Sequence, residues 1–292
     1  MLSKVVVCGV GLIGGSFALA LKAAGVAREV VGLGRTRAPL EEAVRLGVID
    51  RIAADWGDAL HGADLVLLGM PVGQMATAMS MLEKHLEPGT LVTDGGSTKS
   101  DVVAAARGSF GDKINQFVPG HPIAGAEKSG VGAATADLYR GKRVVLTPLP
   151  ENAPADVAKV RAVWEACGAK VSELAAEEHD RVFAAVSHLP HLLAFALVHD
   201  LALRPNSEQL LGFAGAGFRD FTRIASSHPE MWRDICLANR KPLIEELDAY
   251  MNELLRTRVL LAAGDAAGLE AMFASARARR DAWLESLLPP AR

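Results

Sequence analysis

The chain has 292 residues, of which 50% are hydrophobic and 22% charged, and its formal net charge is −3. This length suits one large or two ordinary domains, and the small charge gives no case for nucleic acid or a membrane surface as a partner. The 3 cysteines are widely spaced without a CxxC pair, which favours reduced core thiols of a cytoplasmic protein over a disulfide framework or metal site. The N-terminus enters a strand at once, unlike a signal peptide, and no uninterrupted apolar run reaches the length of a membrane span.

The first residues predict a dinucleotide-binding turn. An apolar strand over 5–8 runs into Gly-Val-Gly-Leu-Ile-Gly, and a helix over 13–24 follows. In this G-x-G-x-x-G pattern Gly9 permits a sharp turn, Gly11 lets a pyrophosphate approach, and Gly14 lets the helix pack against the strand. The helix N-terminus adds free N–H groups and the positive end of its dipole; the alternative is an ordinary glycine-rich turn. The residues predicted to contact the cofactor here are Gly9, Gly11, Leu12, Ile13 and Gly14.

The end of the second predicted strand bears on the choice of cofactor. NAD-binding folds usually place an acidic residue about 20 residues beyond the glycines to bind the ribose 2′-hydroxyl, but this chain reads Gly-Arg-Thr-Arg over 34–37. Gly34 leaves room there, and Arg35, Thr36 and Arg37 could surround a 2′-phosphate with planar guanidinium donors. NADP is therefore preferred, with NAD possible if Arg35 and Arg37 are merely solvated loop residues.

The first half continues as alternating strands and helices. Strands are predicted over 29–33, 64–69, 91–93, 116–118, 143–146 and 170–174, with helices over 40–46, 72–86, 99–107 and 154–167. This rhythm predicts an α/β fold with a Rossmann-type, doubly wound, mostly parallel sheet, whose ligands lie beyond the carboxyl ends of the strands. Pro71, which follows the strand over 64–69, is accordingly placed beside the cofactor.

Beyond residue 175 the pattern is all-helical, with helices predicted over 180–203, 229–260 and 265–287. We therefore predict a dinucleotide-binding domain over 1–175 and a helical substrate-binding and dimerisation domain over 176–292. The apolar content of these helices is high for a domain of this size, which favours a homodimer. A monomer with an extended helical lobe is the alternative.

Two loops at predicted strand ends carry polar side chains suited to chemistry. Ser97 lies in Asp-Gly-Gly-Ser-Thr-Lys-Ser over 94–100, where it could cap the next helix, serve function, or do both. His121 stands between two glycines and two prolines in Pro-Gly-His-Pro-Ile-Ala-Gly over 119–125, which places it on a stiff loop just after a strand. Because histidine titrates near neutral pH, proton transfer is favoured over a purely structural role.

Two histidines begin the helical region, in Ser-His-Leu-Pro-His over 187–191. His188 and His191 could share one helix face, but no third ligand follows at a useful spacing, so a metal site is not expected. One of them lining a pocket is favoured.

Two arginines follow in Gly-Phe-Arg-Asp-Phe-Thr-Arg-Ile-Ala over 217–225. Arg219 and Arg223 are spaced by one helical turn and could bind an anionic substrate through bidentate contacts. Asp220 and Asp234 are close enough in sequence to form ordinary salt bridges with them instead. The spacing leaves both interpretations open.

Taken together and in order, the motifs resemble the prephenate/arogenate (cyclohexadienyl) dehydrogenase family of tyrosine biosynthesis. They are GVGLIGGS, DGGSTK, PGHPIAG, SHLPH, and FRDFTRIASS followed by MWRDI, and the resemblance covers essentially the whole chain. It implies oxidative decarboxylation of prephenate or arogenate, in which ring carbon 4 loses a hydride to the nicotinamide and the ring carboxylate departs as CO2. The product is 4-hydroxyphenylpyruvate or tyrosine.

The resemblance also implies roles for single residues. His121 would take the proton of the C4 hydroxyl, and Ser97 would hydrogen-bond that hydroxyl and orient His121. The residues implied to bind or enclose the substrate are Arg223, His191, Gly125 and Trp232. Because the chain stops at 288–292, directly after the last helix, neither an appended regulatory domain nor a fused mutase is expected.

Two other functions compete with this interpretation. A β-hydroxyacid dehydrogenase or imine reductase shares the domain plan, but those enzymes usually carry a catalytic lysine in a G-x-x-x-K-x-x-N pattern. Here the segment after Cys167 reads Gly-Ala-Lys-Val, a predicted strand. A non-catalytic NADP-binding regulator is the second alternative, although it would not need a stiffly held histidine beside Ser97.

Overall fold

A computed structural model describes residues 1–126 and 128–287, so the terminal segment 288–292 lies outside the described residues. Within that part of the chain, eight strands form two sheets. The first sheet is parallel, in the order β3-β2-β1-β4-β5, and consists of β1 (Leu2–Cys8), β2 (Ala27–Leu33), β3 (Arg51–Ile52), β4 (Leu65–Leu68) and β5 (Leu91–Asp94). The second, in the order β6-β7-β8, consists of β6 (Gly120–Ile123), β7 (Arg143–Leu146) and β8 (Lys170–Glu173), with β6 antiparallel to β7.

Helices connect the strands and account for most of the described chain after β8. Those among the strands are α1 (Leu12–Ala23), α2 (Arg37–Arg45), α3 (Trp56–Leu60), α4 (Met75–Leu82), α5 (Ser100–Phe110) and α6 (Pro154–Ala166). Those after β8 are α7 (Ala176–Phe183), α8 (Leu189–Ala202), α9 (Ser207–Gly212), α10 (Ala216–Thr222), α11 (Pro229–Ala238), α12 (Arg240–Ala263) and α13 (Ala266–Ser286). Short 3₁₀ turns cover Val72–Gln74, Glu83–His85, Gly111–Gln116, Val131–Ala133 and Arg223–Ser226.

Successive residues of β1 serve opposite faces of the first sheet, as the two-residue period of a strand requires. Val5 and Val7 belong to a hydrophobic cluster that includes Phe17 of α1, whereas Val6 and Cys8 belong to a second cluster. Both faces of the sheet are thus covered, which is typical of parallel sheets. The predicted Rossmann-type arrangement, followed by a helical region, is confirmed.

The prediction of a single sheet with a strand over 116–118 is wrong. Phe117 makes only an isolated bridge to Val92, and Pro119 has no N–H with which to continue the ladder. The next strand instead begins at Gly120 and pairs His121 with Val145 in the second sheet. His121 is therefore a buried strand residue, and its predicted position on a loop is wrong as well.

A long helical stretch opens the second half of the chain. One turn of π-helix, Ala184–His188, joins α7 to α8, and such turns are frequent at functional sites. By length and apolar composition alone, 176–202 would also suit a membrane span. In this fold the stretch carries the buried polar residues His179, Asp180 and His188. The helix predicted over 229–260 is divided at Asn239 into α11 and α12.

The described part of the chain forms two compact units, one over 1–243 and one that begins at Ile244. The larger unit contains both sheets and every candidate site residue named above. In the smaller unit, Thr257 of α12 contacts Met272 of α13, and Asp265 caps α13 by accepting a hydrogen bond from Gly268 N at 2.9 Å. The domain boundary at 175/176 stays a prediction.

The cysteines have the character expected of core thiols. Cys8 and Cys167 are buried, Cys236 is half-buried, and all three are free. Burial raises the pKa of the Cys8 and Cys167 thiols to about 12, so neither is a ready nucleophile at neutral pH.

Candidate active site

The glycine turn between β1 and α1 has the shape that a dinucleotide requires. Gly9 has a φ of +92°, and a Cβ added there would lie 2.8 Å from Met70 N. A Cβ on Gly14 would lie 2.3 Å from Gly9 O, so neither position accepts a side chain. A Cβ on Gly11, in contrast, would meet nothing within 4 Å. The first two glycines therefore allow close packing, and Gly11 faces open space where this fold binds a pyrophosphate.

Three other predicted cofactor residues surround this turn. Leu12 and Ile13 are half-buried in the first turn of α1, and Pro71 is exposed just after β4. The buried Tyr139 hydroxyl donates to Ile13 O at 2.6 Å, which fixes the first turn of α1. The Ile13 side chain reaches Gly95 at the end of β5, with Cγ2 3.0 Å from where a Cβ would stand. The cofactor turn and the end of β5 are thus adjacent.

The end of β2 carries the residues that would meet the ribose. Gly34, Arg35 and Thr36 are all exposed there. Arg37 begins α2 and donates from Nε to Glu41 Oε1 at 2.8 Å, an ion pair within its own helix. Of the two arginines in the motif, Arg37 is therefore paired within its own helix, whereas Arg35 is exposed at the end of β2.

A buried ion pair joins the turn after β5 to strand β6. The Lys99 ammonium donates to Asp94 Oδ2 and, at 2.9 Å, to Gly120 O, and both charged side chains are fully buried. Asp94 also accepts from Gly96 N at 2.8 Å and from Gly120 N at 2.9 Å. The half-buried Ser97 lies between Gly96 and Lys99 on this turn. The pair thereby fixes the turn that carries Ser97 against the strand that carries His121.

His121, His179 and Asp180 form a second polar cluster. Its Nδ1 lies 2.8 Å from His179 Nε2, and His179 Nδ1 lies 2.9 Å from Asp180 Oδ1. The pKa of His121 is held well below its usual value, chiefly by burial and also by the proximity of the His179 ring and the Lys99 ammonium. The imidazole is accordingly neutral at neutral pH and able to accept a proton.

Asp180 also caps a helix. It accepts hydrogen bonds from Lys99 N and Ser100 N, each at 2.8 Å, at the N-terminus of α5. A carboxylate at this end is stabilised by the helix dipole. Asp180 thus performs the capping that the sequence offered as one role for Ser97.

The rings of His191 and Trp232 stack on each other, with Arg223 within electrostatic reach of His191. The two rings stack with centroids 3.7 Å apart and an interplanar angle of 18°. His191 Nδ1–H donates to Ser187 O at 2.8 Å, which leaves Nε2 as the other, unprotonated nitrogen of the neutral ring. Burial lowers the pKa of His191, and the positive charge of Arg223 lowers it further. The structure therefore brings these three predicted residues together.

His188 has a structural position. Asn239 Nδ2 lies 2.9 Å from His188 Nδ1 and also donates to Asp180 O at 2.8 Å, which joins α11 to α7. Burial lowers the pKa of His188 to about 4, so it stays neutral. Among residues 1–126 and 128–287, no group of three or more His, Cys, Asp or Glu side chains could hold a metal ion.

Two predicted residues stand apart from this cluster. Gly125 is exposed in the coil after β6, and a Cβ there would meet nothing within 4 Å. Arg219 is exposed on α10, with Nε 3.7 Å from Asp220 Oδ1, as the salt-bridge interpretation required. Lys170, the lysine nearest the position used by β-hydroxyacid dehydrogenases, lies in β8 as predicted.

Sequence reasoning missed His179, Asp180 and the Asp94–Lys99 pair. The first two sit in a run of charged residues, Ala-Glu-Glu-His-Asp-Arg, that is typical of a solvated helix start. The apolar residues that follow them in the same helical stretch are the sequence signal that one face of this helix is buried. Asp94 and Lys99 belong to the motif over 94–100, but their spacing in the sequence does not reveal that the two charged side chains form a buried pair.

Comparison with known proteins identifies the family. Residues 17–173 match the family model described as prephenate dehydrogenase, nucleotide-binding domain, and residues 175–275 match prephenate dehydrogenase, dimerization domain. The chain is 36% identical over 283 residues to prephenate dehydrogenase of Bacillus subtilis (strain 168), covering 96% of this chain and 76% of that protein. It is 32% identical over 263 residues to cyclohexadienyl dehydrogenase of Zymomonas mobilis, covering 89% of each.

Solved structures give the same answer. A. aeolicus prephenate dehydrogenase in complex with hydroxyphenyl propionate and NAD+ superimposes with a TM-score of 0.90 at 36% identity, over 96% of this chain and 98% of that one. Synechocystis arogenate dehydrogenase superimposes with a TM-score of 0.81 at 28% identity, over 96% and 99% of the two chains. With both family models matched in order along the chain, this protein belongs to the prephenate dehydrogenase family of oxidoreductases.

Proposed function

We propose that this protein catalyses the oxidative decarboxylation of prephenate, arogenate or both, with hydride transfer to NAD(P)+. The products are 4-hydroxyphenylpyruvate or tyrosine, together with CO2. The observation that carries the proposal is the buried imidazole of His121, anchored through Gly120 to Asp94 at the end of β5. This is the edge of the sheet at which the glycine turn also lies.

The residues of this chain mainly position the substrate and remove a proton. A dinucleotide held by its pyrophosphate at the glycine turn would supply an oxidised nicotinamide as the acceptor of the hydride from ring carbon 4. His121 accepts the proton of the C4 hydroxyl, so that the oxygen lone pair can form a C=O bond as the hydride departs. Breakage of the bond to the ring carboxylate then supplies the electron pair that makes the ring aromatic. Because aromatisation provides the driving force, correct placement supplies much of the catalysis.

The other site residues bind and align the substrate. Ser97 lies on the turn fixed to His121 through Asp94 and Lys99, so its hydroxyl is suited to hydrogen-bond the C4 hydroxyl. Arg223 is suited to a substrate carboxylate through its planar donors. His191 and Trp232 would line the same pocket, and Gly125 would leave room at its open side.

Steady-state kinetics test the proposal directly. Prephenate and arogenate are each assayed with NADP and with NAD by the absorbance of the reduced nicotinamide. Turnover of either acid supports the proposal, and the four kcat/KM values rank substrates and cofactors. Absence of turnover in all four pairings would contradict it and favour the β-hydroxyacid or regulator interpretation.

Arg223→Ala should raise the KM for the acid substrate about 10- to 100-fold, the loss of one charge-assisted contact. The effect on kcat should be smaller, because the arginine binds a carboxylate that does not itself take up the proton or hydride. Arg219→Ala is the matched control, since Arg219 lies one turn earlier and is paired with Asp220. An unchanged KM in the Arg223 variant would remove this arginine from the site.

We further propose NADP as the preferred cofactor. Support comes from the exposed Gly34, Arg35 and Thr36 at the end of β2, where the sequence has no acidic residue. Arg35→Asp should therefore shift the kcat/KM ratio toward NAD by about tenfold or more, because a carboxylate repels the 2′-phosphate and can accept from a 2′-hydroxyl. Arg37→Asp, which alters an arginine paired with Glu41, is the control. Equal ratios in wild type and the Arg35 variant would mean that this loop does not touch the ribose.

We also propose that the protein is a homodimer. The matched dimerization-domain model supports this, as does a strip of exposed apolar side chains one helical turn apart on α12. Met251, Leu255 and Val259 are 51%, 58% and 63% exposed in the single chain. Light scattering should give twice the chain mass for the wild type, and the mass of one chain for the double variant Leu255→Glu/Val259→Glu. A wild-type monomer, or a double variant that stays dimeric, would contradict this assignment.

A further inference from the structure

Behind His121, on the side of the Nδ1 nitrogen, lies a buried chain of hydrogen-bonding groups that the proposed reaction does not yet use. His179 is fully buried, Asp180 is 2% exposed, and both lie at the start of the long helical stretch. The order is Asp180, His179, His121, with atom separations of 2.9 and 2.8 Å. Phe183 closes the cluster, with its ring 4.9 Å from that of His121 and 4.4 Å from that of His179.

We propose that His179 and Asp180 are positioning residues that set the tautomer of His121 and stabilise the imidazolium it becomes. This inference rests on the proposed role of His121 as the proton acceptor. It assigns to the two residues an action through His121, without contact to substrate or cofactor.

The direction of the hydrogen bonds follows from the chemistry of the groups. An ionised Asp180 only accepts, so His179 must carry its proton on Nδ1. In a neutral ring, His179 Nε2 is then an acceptor, and His121 must donate to it from Nδ1–H. The remaining nitrogen of His121, Nε2, is therefore the one with a free lone pair. Without these hydrogen bonds, His121 could carry its proton on Nε2 instead. The unprotonated nitrogen would then be Nδ1, on the side of the buried cluster, and no base would face the substrate.

The charges around the chain are fixed by other bonds. Asp180 is ionised in place because it accepts from Lys99 N and Ser100 N and from His179, and these contacts hold the pKa of its carboxyl low despite burial. The positive charge of Lys99 is offset by the Asp94 carboxylate with which it pairs. Within the described part of the chain, His188 and Asp101 also interact electrostatically with this cluster. Burial keeps His188 neutral and raises the pKa of Asp101.

The proton balance is simple. The O–H bond of the C4 hydroxyl breaks, and an N–H bond forms at His121 Nε2. The Nδ1–H bond of His121 remains, now donated by a cation to His179 Nε2, whose own Nδ1–H remains on Asp180. The carboxylate thus offsets the new positive charge through two hydrogen bonds. When the aromatic oxygen regains its proton, His121 returns to its starting tautomer.

The tautomer is tested first, by nitrogen NMR of the full chain with 15N-labelled histidine. The His121 signals are assigned by their loss in His121→Gln. We expect Nδ1 to be protonated and Nε2 to be unprotonated in the wild type at neutral pH. A wild-type His121 with its proton on Nε2 would overturn the inference. This readout needs no turnover, so it is separable from a failure of the proposed reaction.

Kinetics of two variants at one position provide the second test. His179→Leu removes the Nε2 acceptor of the His121 Nδ1–H group. The value of kcat should fall by about 100-fold or more, while the KM values for the acid substrate and the cofactor stay within about twofold. His179→Gln can place a carbonyl oxygen near the position of Nε2 and should retain kcat within about tenfold of the wild type. His199→Leu, which changes an exposed histidine of α8, is the control and should be unaffected.

A purely structural role for His179 predicts a different pattern. The two variants would then lose activity in proportion to their lost stability, and the Gln variant would give no rescue over Leu. That result, or a His179→Leu enzyme with wild-type kcat, would overturn the inference. Should the Leu variant fail to fold, the wild-type tautomer and the Gln variant still decide the matter.

Discussion

His121→Ala should lower kcat by about 100-fold or more, which is the usual contribution of a positioned general base. Loss of the imidazole leaves the C4 hydroxyl without a proton acceptor. Cofactor affinity should stay within about twofold, because the glycine turn belongs to β1 and α1 and His121 to β6 of the other sheet. Steady-state kinetics and a fluorescence titration with reduced nicotinamide measure the two quantities separately.

The His121 experiment has a matched control variant and an outcome that would contradict the prediction. His85→Ala changes an exposed histidine that ends the 3₁₀ turn after α4 and should leave kcat unchanged. A His121 variant with near-wild-type kcat would exclude the imidazole as the proton acceptor. The wild-type rate should also fall only at pH values well below the usual pKa of histidine, because the pKa of His121 is lowered and the base becomes protonated only there.

Asp94→Leu should lower the free energy of unfolding by about 3–5 kcal/mol, the typical cost of breaking a buried ion pair by removing one partner. The substitution leaves the Lys99 ammonium buried without its counter-ion. It also leaves the N–H groups of Gly96 and Gly120 without their acceptor. Urea unfolding followed by tryptophan fluorescence gives the change, provided that the slope with denaturant is the same in both proteins.

The double variant Asp94→Leu/Lys99→Met distinguishes the ion pair from simple packing. It should recover part of the lost stability, because two apolar side chains leave no unpaired charge. Arg45→Ala, which removes an exposed pair with Glu42, should leave the free energy of unfolding unchanged. A loss below about 1 kcal/mol in Asp94→Leu would contradict the view that this pair holds the Ser97 turn against β6.

Local patterns explain why the nucleotide-binding half could be predicted. The glycine turn is specified by the steric demands of Gly9 and Gly14, which are visible in the sequence as a fixed spacing. The strand over 143–146 was placed correctly because its apolar run is short and bounded. The predicted loop position of His121 is wrong because β6 forms by pairing with β7, whose residues lie 20 to 26 positions later in the chain. Such long-range pairing leaves little local signal.

Candidate site residues can be predicted only where the residue type itself indicates a chemical role. His121, His191 and Arg223 were singled out because histidine and arginine in constrained motifs suggest proton transfer and anion binding. His179 and Asp180 gain their importance only when α7 packs against the N-terminus of α5, which brings Asp180 to Lys99 N. Without that packing they resemble ordinary charged residues at a helix start. The sequence therefore predicts the proposed proton-accepting and anion-binding residues more readily than the residues that support them.

The most direct test of the central claim is the stoichiometry of a single reaction mixture of wild-type enzyme, the better acid substrate and the better cofactor. Reduced nicotinamide is measured by absorbance. CO2 is trapped from substrate labelled in its ring carboxylate, and the aromatic product is measured by chromatography. The account predicts equal amounts of all three throughout the reaction. Reduced nicotinamide without matching CO2 and aromatic product, or no reduction at all, would contradict it.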